Sequence, residues 1–181
     1  MNCWKTINIS RDYGTLRLIM FSSSTVLLSF LFYYLVMSTI VQTTEFTQFG
    51  FVTVVLSLFG LVLTHKLLHC LPIWLFGGRA KIKISTRKLL FPLMDIKLRE
   101  PLSRNVYLLA LFSPLVFITT AGGVGSIMWP QFLPYFSILT SINFGLAFYD
   151  LVYASHLMKA PKQCYIEDHD EGFHILIKQA V

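Results

Sequence analysis

The chain has 181 residues, of which 55% are apolar and only 13% charged, with 16 Phe and 8 Tyr. Soluble domains carry about 25% charged residues, so this composition excludes an ordinary water-soluble globular domain. The formal charge of +6 is the basic surplus expected of a membrane protein that obeys the positive-inside rule, and it calls for no nucleic-acid partner.

Crossing a hydrocarbon core of roughly 30 Å takes about 20 apolar helical residues, and four stretches qualify. The predicted helices cover about 16–41, 51–71, 106–128 and 132–158. The apolar run of the first, Leu18 to Val41, follows Lys5, Arg11 and Arg17 and is too long for a signal-peptide core. Its small residues Ser22, Ser23 and Ser24 lie near its start, so it reads as a retained anchor. Pro72 is expected to end the second helix, and Pro161 lies beyond the fourth.

The loop 73–105 carries Arg79, Lys81, Lys83, Arg87, Lys88, Lys97, Arg99 and Arg104 against Asp95 and Glu100. Such a loop marks the cytoplasmic side, and an even number of crossings puts both termini there. Within it, Ala80 to Ile84 and Asp95 to Arg99 alternate apolar with charged residues, the period of a half-wet strand, which fits a small cytoplasmic hairpin at the membrane surface or a pair of unrelated extended segments. Lys and Arg beside a bilayer also favour anionic lipid headgroups as partners. The tail 159–181 repeats the strand pattern at Gln163 to Glu167 and Gly172 to Lys178. Between these segments lies an acidic turn that either meets the basic loop or is solvated. The fold class is therefore all-α and polytopic, a single membrane domain of four transmembrane helices with small cytoplasmic β-hairpins. The three cysteines, Cys3, Cys70 and Cys164, lie near the same side without paired spacing and predict neither disulfide nor thiolate metal site.

Polar groups inside the spans need partners, because a carboxylate at the bilayer centre costs roughly 2.5 to 3.5 kcal/mol on insertion scales. His65, Lys66, His69, Asn143 and Asp150 are such groups. His65 and His69, four residues apart, share one helical face and have the HxxxH spacing with which a helix offers two imidazoles to zinc. At 1.5 Å per residue, His65 before Pro72 and Asp150 before Met158 lie at matching depths of about 10 to 12 Å. Two histidines and one aspartate can then hold Zn2+ with a fourth position open. The alternative for the same residues is Asp150 paired with a protonated His65 or His69, or with Lys66, locking the bundle. Asn143, two turns from Asp150, is placed to hydrogen-bond either a substrate backbone or a neighbouring helix.

These residues carry a resemblance. Thr64-His65-Lys66-Leu67-Leu68-His69, Glu100-Pro101-Leu102-Ser103-Arg104, Leu111-Phe112-Ser113-Pro114-Leu115, Asn143-Phe144-Gly145, Tyr149-Asp150-Leu151 and Asp170-Glu171-Gly172-Phe173 together resemble the bacterial family of zincin peptidases numbered 3267 among uncharacterised domains. That family in turn resembles intramembrane site-2 metalloproteases. The resemblance implies His65, His69 and Asp150 as metal ligands and a multi-pass protein of the bacterial cell membrane. It also implies a glutamate after the first histidine as general base, where this chain has Lys66, giving HKLLH in place of HExxH. A protonated lysine does not accept a proton, so the expectation is a catalytically impaired, pseudoenzyme-like relative that binds a hydrophobic or transmembrane peptide client. The alternatives are an active intramembrane zinc protease, one trapped by substitution at position 66, or a non-enzymatic regulatory subunit pairing through Ala121-Gly122-Gly123-Val124-Gly125. No inverted repeat suggests a transporter, and Gly77-Gly78-Arg79 lacks nucleotide-loop spacing. The sequence leaves oligomeric state and client identity open.

Overall fold

The computed structural model describes residues 2–41, 45–78, 80–84, 94–98, 100–169 and 172–177. Four helices are long and apolar enough to cross a membrane: α2 (Thr15–Ile40), α3 (Phe51–Leu75), α4 (Arg104–Met128) and α5 (Leu133–Met158). A strand β1 (Asn2–Ile7) and a short helix α1 (Ile9–Tyr13) precede them. The chain is thus a multi-pass membrane protein of mostly helical architecture.

Helix α5 is the axis of the bundle. It packs against α2 on one side and α4 on the other, while α3 lies mainly on α4. Small residues allow the close approaches. At Gly145 of α5 an added Cβ would meet a methyl of Val26 in α2, and at Gly125 of α4 it would lie 2.7 Å from the Phe136 ring. At Gly122 it would overlap the Thr140 hydroxyl. Gly122 and Gly125, two members of the small-residue patch that the sequence offers as one alternative for pairing with a partner, therefore pack within the molecule against α5.

Pro72 does not end α3, which continues to Leu75. A proline removes the N–H that would serve the carbonyl four residues earlier, here that of Leu68. That carbonyl instead accepts a hydrogen bond from Ser113 Oγ of α4 at 2.8 Å. Hydrocarbon leaves no backbone polar group unsatisfied cheaply, so a neighbouring hydroxyl lets the helix run on. The chain leaves α3 at Gly77, whose φ of 76° lets Gly78 N–H reach back to Ile73 O at 2.8 Å, a left-handed helix end that glycine adopts without strain.

At this end of the bundle lie two antiparallel sheets. The strands β2 (Ala80–Ile84) and β3 (Met94–Leu98) form a hairpin, one of the two arrangements that the alternating pattern fits, with Ile82 opposite Ile96. The tail strands β5 (Cys164–His169) and β6 (Gly172–Ile177) pair as expected, but they belong to a larger sheet ordered β1-β6-β5-β4, where β4 is Leu102–Ser103. The tip of the acidic turn, Asp170 and Glu171, lies outside the described residues, as do Arg79, Arg87, Lys88, Phe91, Pro92 and Arg99 of the basic loop. The sheet covers the bundle end through Ile7, Ile166, Phe173 and Ile175, which bury against Leu111 and Leu157. Arg104, one of the basic-loop residues, closes α5 by donating from Nε to Leu157 O at 2.8 Å and from Nη2 to Met158 O at 2.9 Å. A cation on the last carbonyls of a helix is favourably placed against its dipole.

Candidate metal centre

His65, His69 and Asp150 come together as the HxxxH spacing and the depth comparison predict. The two histidines are almost completely buried, and their rings stand nearly perpendicular, 79° apart, with centroids separated by 4.9 Å. His65 Nε2 lies 3.2 Å from Asp150 Oδ2, His69 Nε2 lies 3.3 Å from the same oxygen, and the two Nε2 atoms are 3.3 Å apart.

The hydrogen bonds on the far side of each ring determine which nitrogen carries the proton. His69 Nδ1 is 2.8 Å from the carbonyl oxygen of Ala110. A carbonyl only accepts, so His69 Nδ1 donates. Asn143 is wholly buried, and its Nδ2 donates to Pro114 O at 3.3 Å, which turns its Oδ1 toward His65 Nδ1 at 2.8 Å. Oδ1 accepts, so His65 Nδ1 donates as well. In both rings Nε2 therefore points into the triangle, toward a carboxylate oxygen, and in the neutral form it presents its lone pair there.

Three lone-pair donors facing one another at 3.2 to 3.3 Å repel unless a cation lies among them. Zinc binds imidazole nitrogen and carboxylate oxygen at about 2.0 to 2.1 Å in tetrahedral geometry, which places ligand atoms about 3.3 to 3.4 Å apart. The observed triangle has nearly those edges on all three sides. A proton on either Nε2 accounts for that ring's contact with Asp150, whereas one cation at the centre accounts for all three edges together. The donor set thus fits a divalent metal, and two neutral imidazoles with a carboxylate suit zinc well.

Asn143 bonds both His65 and the backbone of α4, so its bond to a neighbouring helix is present and it also orients a metal-ligand candidate. Hydrogen bonds of this kind fix the tautomer and direction of a ligating histidine. Lys66 is half-buried, and among the described residues no hydrogen bond or ion pair joins it to His65, His69 or Asp150. The pairing of Asp150 with Lys66 weighed from sequence is therefore not what the structure contains. Sequence reasoning overlooked the Ala110 carbonyl. The available signal was Pro114, four residues later, whose missing N–H leaves that oxygen free.

The model of the family described as putative zincin peptidase (DUF3267) matches residues 58–165, more than half of the chain, from the second span through β4 and α5 to the start of β5. No curated protein and no solved structure matches it. The matched range contains both histidines, Asn143 and Asp150.

Proposed function

The chain belongs to this zincin peptidase family, and from that premise we propose that it is a membrane-embedded metallopeptidase that binds one zinc ion and acts on hydrophobic or membrane-spanning peptides. The observation that carries this is the nearly equilateral triangle of His65 Nε2, His69 Nε2 and Asp150 Oδ2, with each ring's second nitrogen already committed to a buried acceptor. Zinc at such a site supplies Lewis acidity toward a peptide carbonyl and toward water.

The residues around the triangle do the rest. Asp150 brings a negative charge that a divalent cation offsets. Asn143 and the Ala110 carbonyl hold the imidazoles in the ligating tautomer, and burial of both rings keeps bulk water from competing. A cavity of about 220 Å3 between the end of α3 and β4, lined in part by Phe76, Gly78, Glu100, Leu102 and Val106, is the place we assign to an extended client. It adjoins the cluster of Ile73, Leu102 and Ala110, and Ala110 is the residue whose carbonyl holds His69. The edge of β2 supplies a backbone against which such a client could pair by strand addition. We further assign this end of the bundle, with both chain termini, to the cytoplasmic face of a bacterial membrane, where the basic loop meets anionic headgroups.

One residue favours a second reading. Peptide hydrolysis needs a proton acceptor beside the metal, and at the position where the family resemblance implies a carboxylate this chain has the amine of Lys66. On that reading the protein binds its client without cutting it. The decisive experiment is zinc quantification on purified wild type, His65→Ala and Asp150→Ala, with thermal unfolding measured on the same samples. One zinc per chain is expected in the wild type and almost none in the folded variants. Zinc content that survives both substitutions would refute the ligand assignment. Cleavage of a membrane peptide by the unaltered chain supports the peptidase, whereas cleavage that appears only after Lys66→Glu supports the client-binding form. Equal cleavage before and after that substitution removes position 66 from the chemistry.

A further inference from the structure

Helices α3 and α4 each contain a proline within the span, and the two freed carbonyls are used in a reciprocal way. Pro72 of α3 leaves Leu68 O without a helical donor, and Ser113 of α4, the residue before Pro114, donates to it at 2.8 Å. Pro114 leaves Ala110 O without a donor, and His69 of α3, three residues before Pro72, donates to it at 2.8 Å. Each helix thus serves the carbonyl that the other's proline has exposed. All of these residues except the partly exposed Leu68 are buried.

We infer that Pro114 is a positioning residue for the metal centre, because by withholding its N–H it dedicates the Ala110 carbonyl to His69 Nδ1 and so keeps His69 Nε2 aimed at Asp150. The inference rests on the metal-site reading above for its purpose, and on the two hydrogen bonds alone for its geometry. In an uninterrupted helix the N–H of residue 114 would bond Ala110 O along the helix axis. A carbonyl so occupied is a weaker and differently directed acceptor for a neighbouring helix. The imidazole would then lose the bond that distinguishes its two nitrogens, and tautomer selection in a ligating histidine comes from that outer bond. Ser113 and Pro72 form the other half of this reciprocal pair, joining the same two helices through Leu68 O without touching the His69 bond.

The test uses the full chain in detergent with 15N-labelled histidine. In metal-free wild type the His69 ring nitrogens should show the Nδ1–H tautomer. In Pro114→Ala they should show a mixture, and zinc affinity, measured by chelator competition, should fall about 10-fold or more, within the range seen when outer-shell partners of a metal ligand are removed. Pro72→Ala restores an N–H to Leu68 O instead and should retain the Nδ1–H tautomer. If Pro114→Ala unfolds, Pro114→Gly restores the same N–H while permitting the bend, and it must give the same tautomer loss. A pure Nδ1–H tautomer with wild-type zinc affinity in a folded Pro114 variant would overturn the inference. Wild type that binds no zinc, with the tautomer still shifting in Pro114→Ala, would uphold the positioning role and overturn the metal reading.

Discussion

His65 and His69 approach Asp150 through the same nitrogen, Nε2, because each has a buried oxygen at Nδ1, from Asn143 in one case and the Ala110 backbone in the other. The consequence is strongest at Asn143, which bridges His65 to Pro114 O. Asn143→Leu keeps the volume and removes both bonds, leaving His65 free to take the other tautomer or to rotate. Zinc affinity in chelator competition should fall about 10- to 100-fold. Thermal stability should fall by only about 1 kcal/mol, since interhelical hydrogen bonds in membranes are individually modest. A loss of stability without loss of metal would make Asn143 a purely structural contact. The HxxxH spacing made the two histidines legible in the sequence, because i and i+4 share a face whatever the fold. Asn143 was legible only as a polar residue in need of a partner, since nothing local says which helix supplies one.

At the scale of elements, prolines and glycines decide how closely the helices meet. Pro72 reads locally as a stop signal, yet α3 continues through it because Ser113 satisfies the freed carbonyl. Sequence rules for helix ends count only the donors within the helix, and here the missing one comes from α4. Gly145 sets the α2–α5 contact, where Ser22 Oγ also donates to Gly145 O at 2.8 Å. Gly145→Leu forces a side chain into Val26 and Ser22, and overpacking of this kind costs about 1 to 3 kcal/mol. Reversible unfolding in mixed micelles should show a loss of that size. An unchanged midpoint would mean that α2 moves aside without cost and is only loosely held. Gly123, whose added Cβ meets nothing within 4 Å, is the matched control and should tolerate alanine.

For the whole molecule, β1 and β6 join the first residues of the chain to the last described ones in a single sheet, with Ile7 opposite Phe173. Both terminal segments must therefore lie on one side of the membrane, whichever side that is. Cys3 is exposed while Cys70 and Cys164 are buried, and burial also pushes the Cys164 thiol up and away from reactive thiolate. A membrane-impermeant maleimide should thus label the native chain at Cys3 alone. Labelling is expected in inside-out vesicles and not in intact cells if this end is cytoplasmic. Labelling from outside would invert the proposed orientation without disturbing the fold.

While the strand pairings came from the structure, four spans, the basic loop between the second and third, the strand segments β2, β3, β5 and β6 and the three ligand candidates were legible in the sequence itself. Each depends on periodicity, charge or transfer free energy over neighbouring residues. The tertiary structure alone decided that β1 and β4 flank the tail hairpin, that Gly122 and Gly125 pack on α5, and that the Ala110 carbonyl and Asn143 hold the imidazoles. Those outcomes depend on which surfaces meet across separations of 11 to 171 residues, as the Gly125–Phe136 and Cys3–His174 contacts illustrate. A local pattern states that a carbonyl or a small face needs a partner, and only the packed bundle selects one.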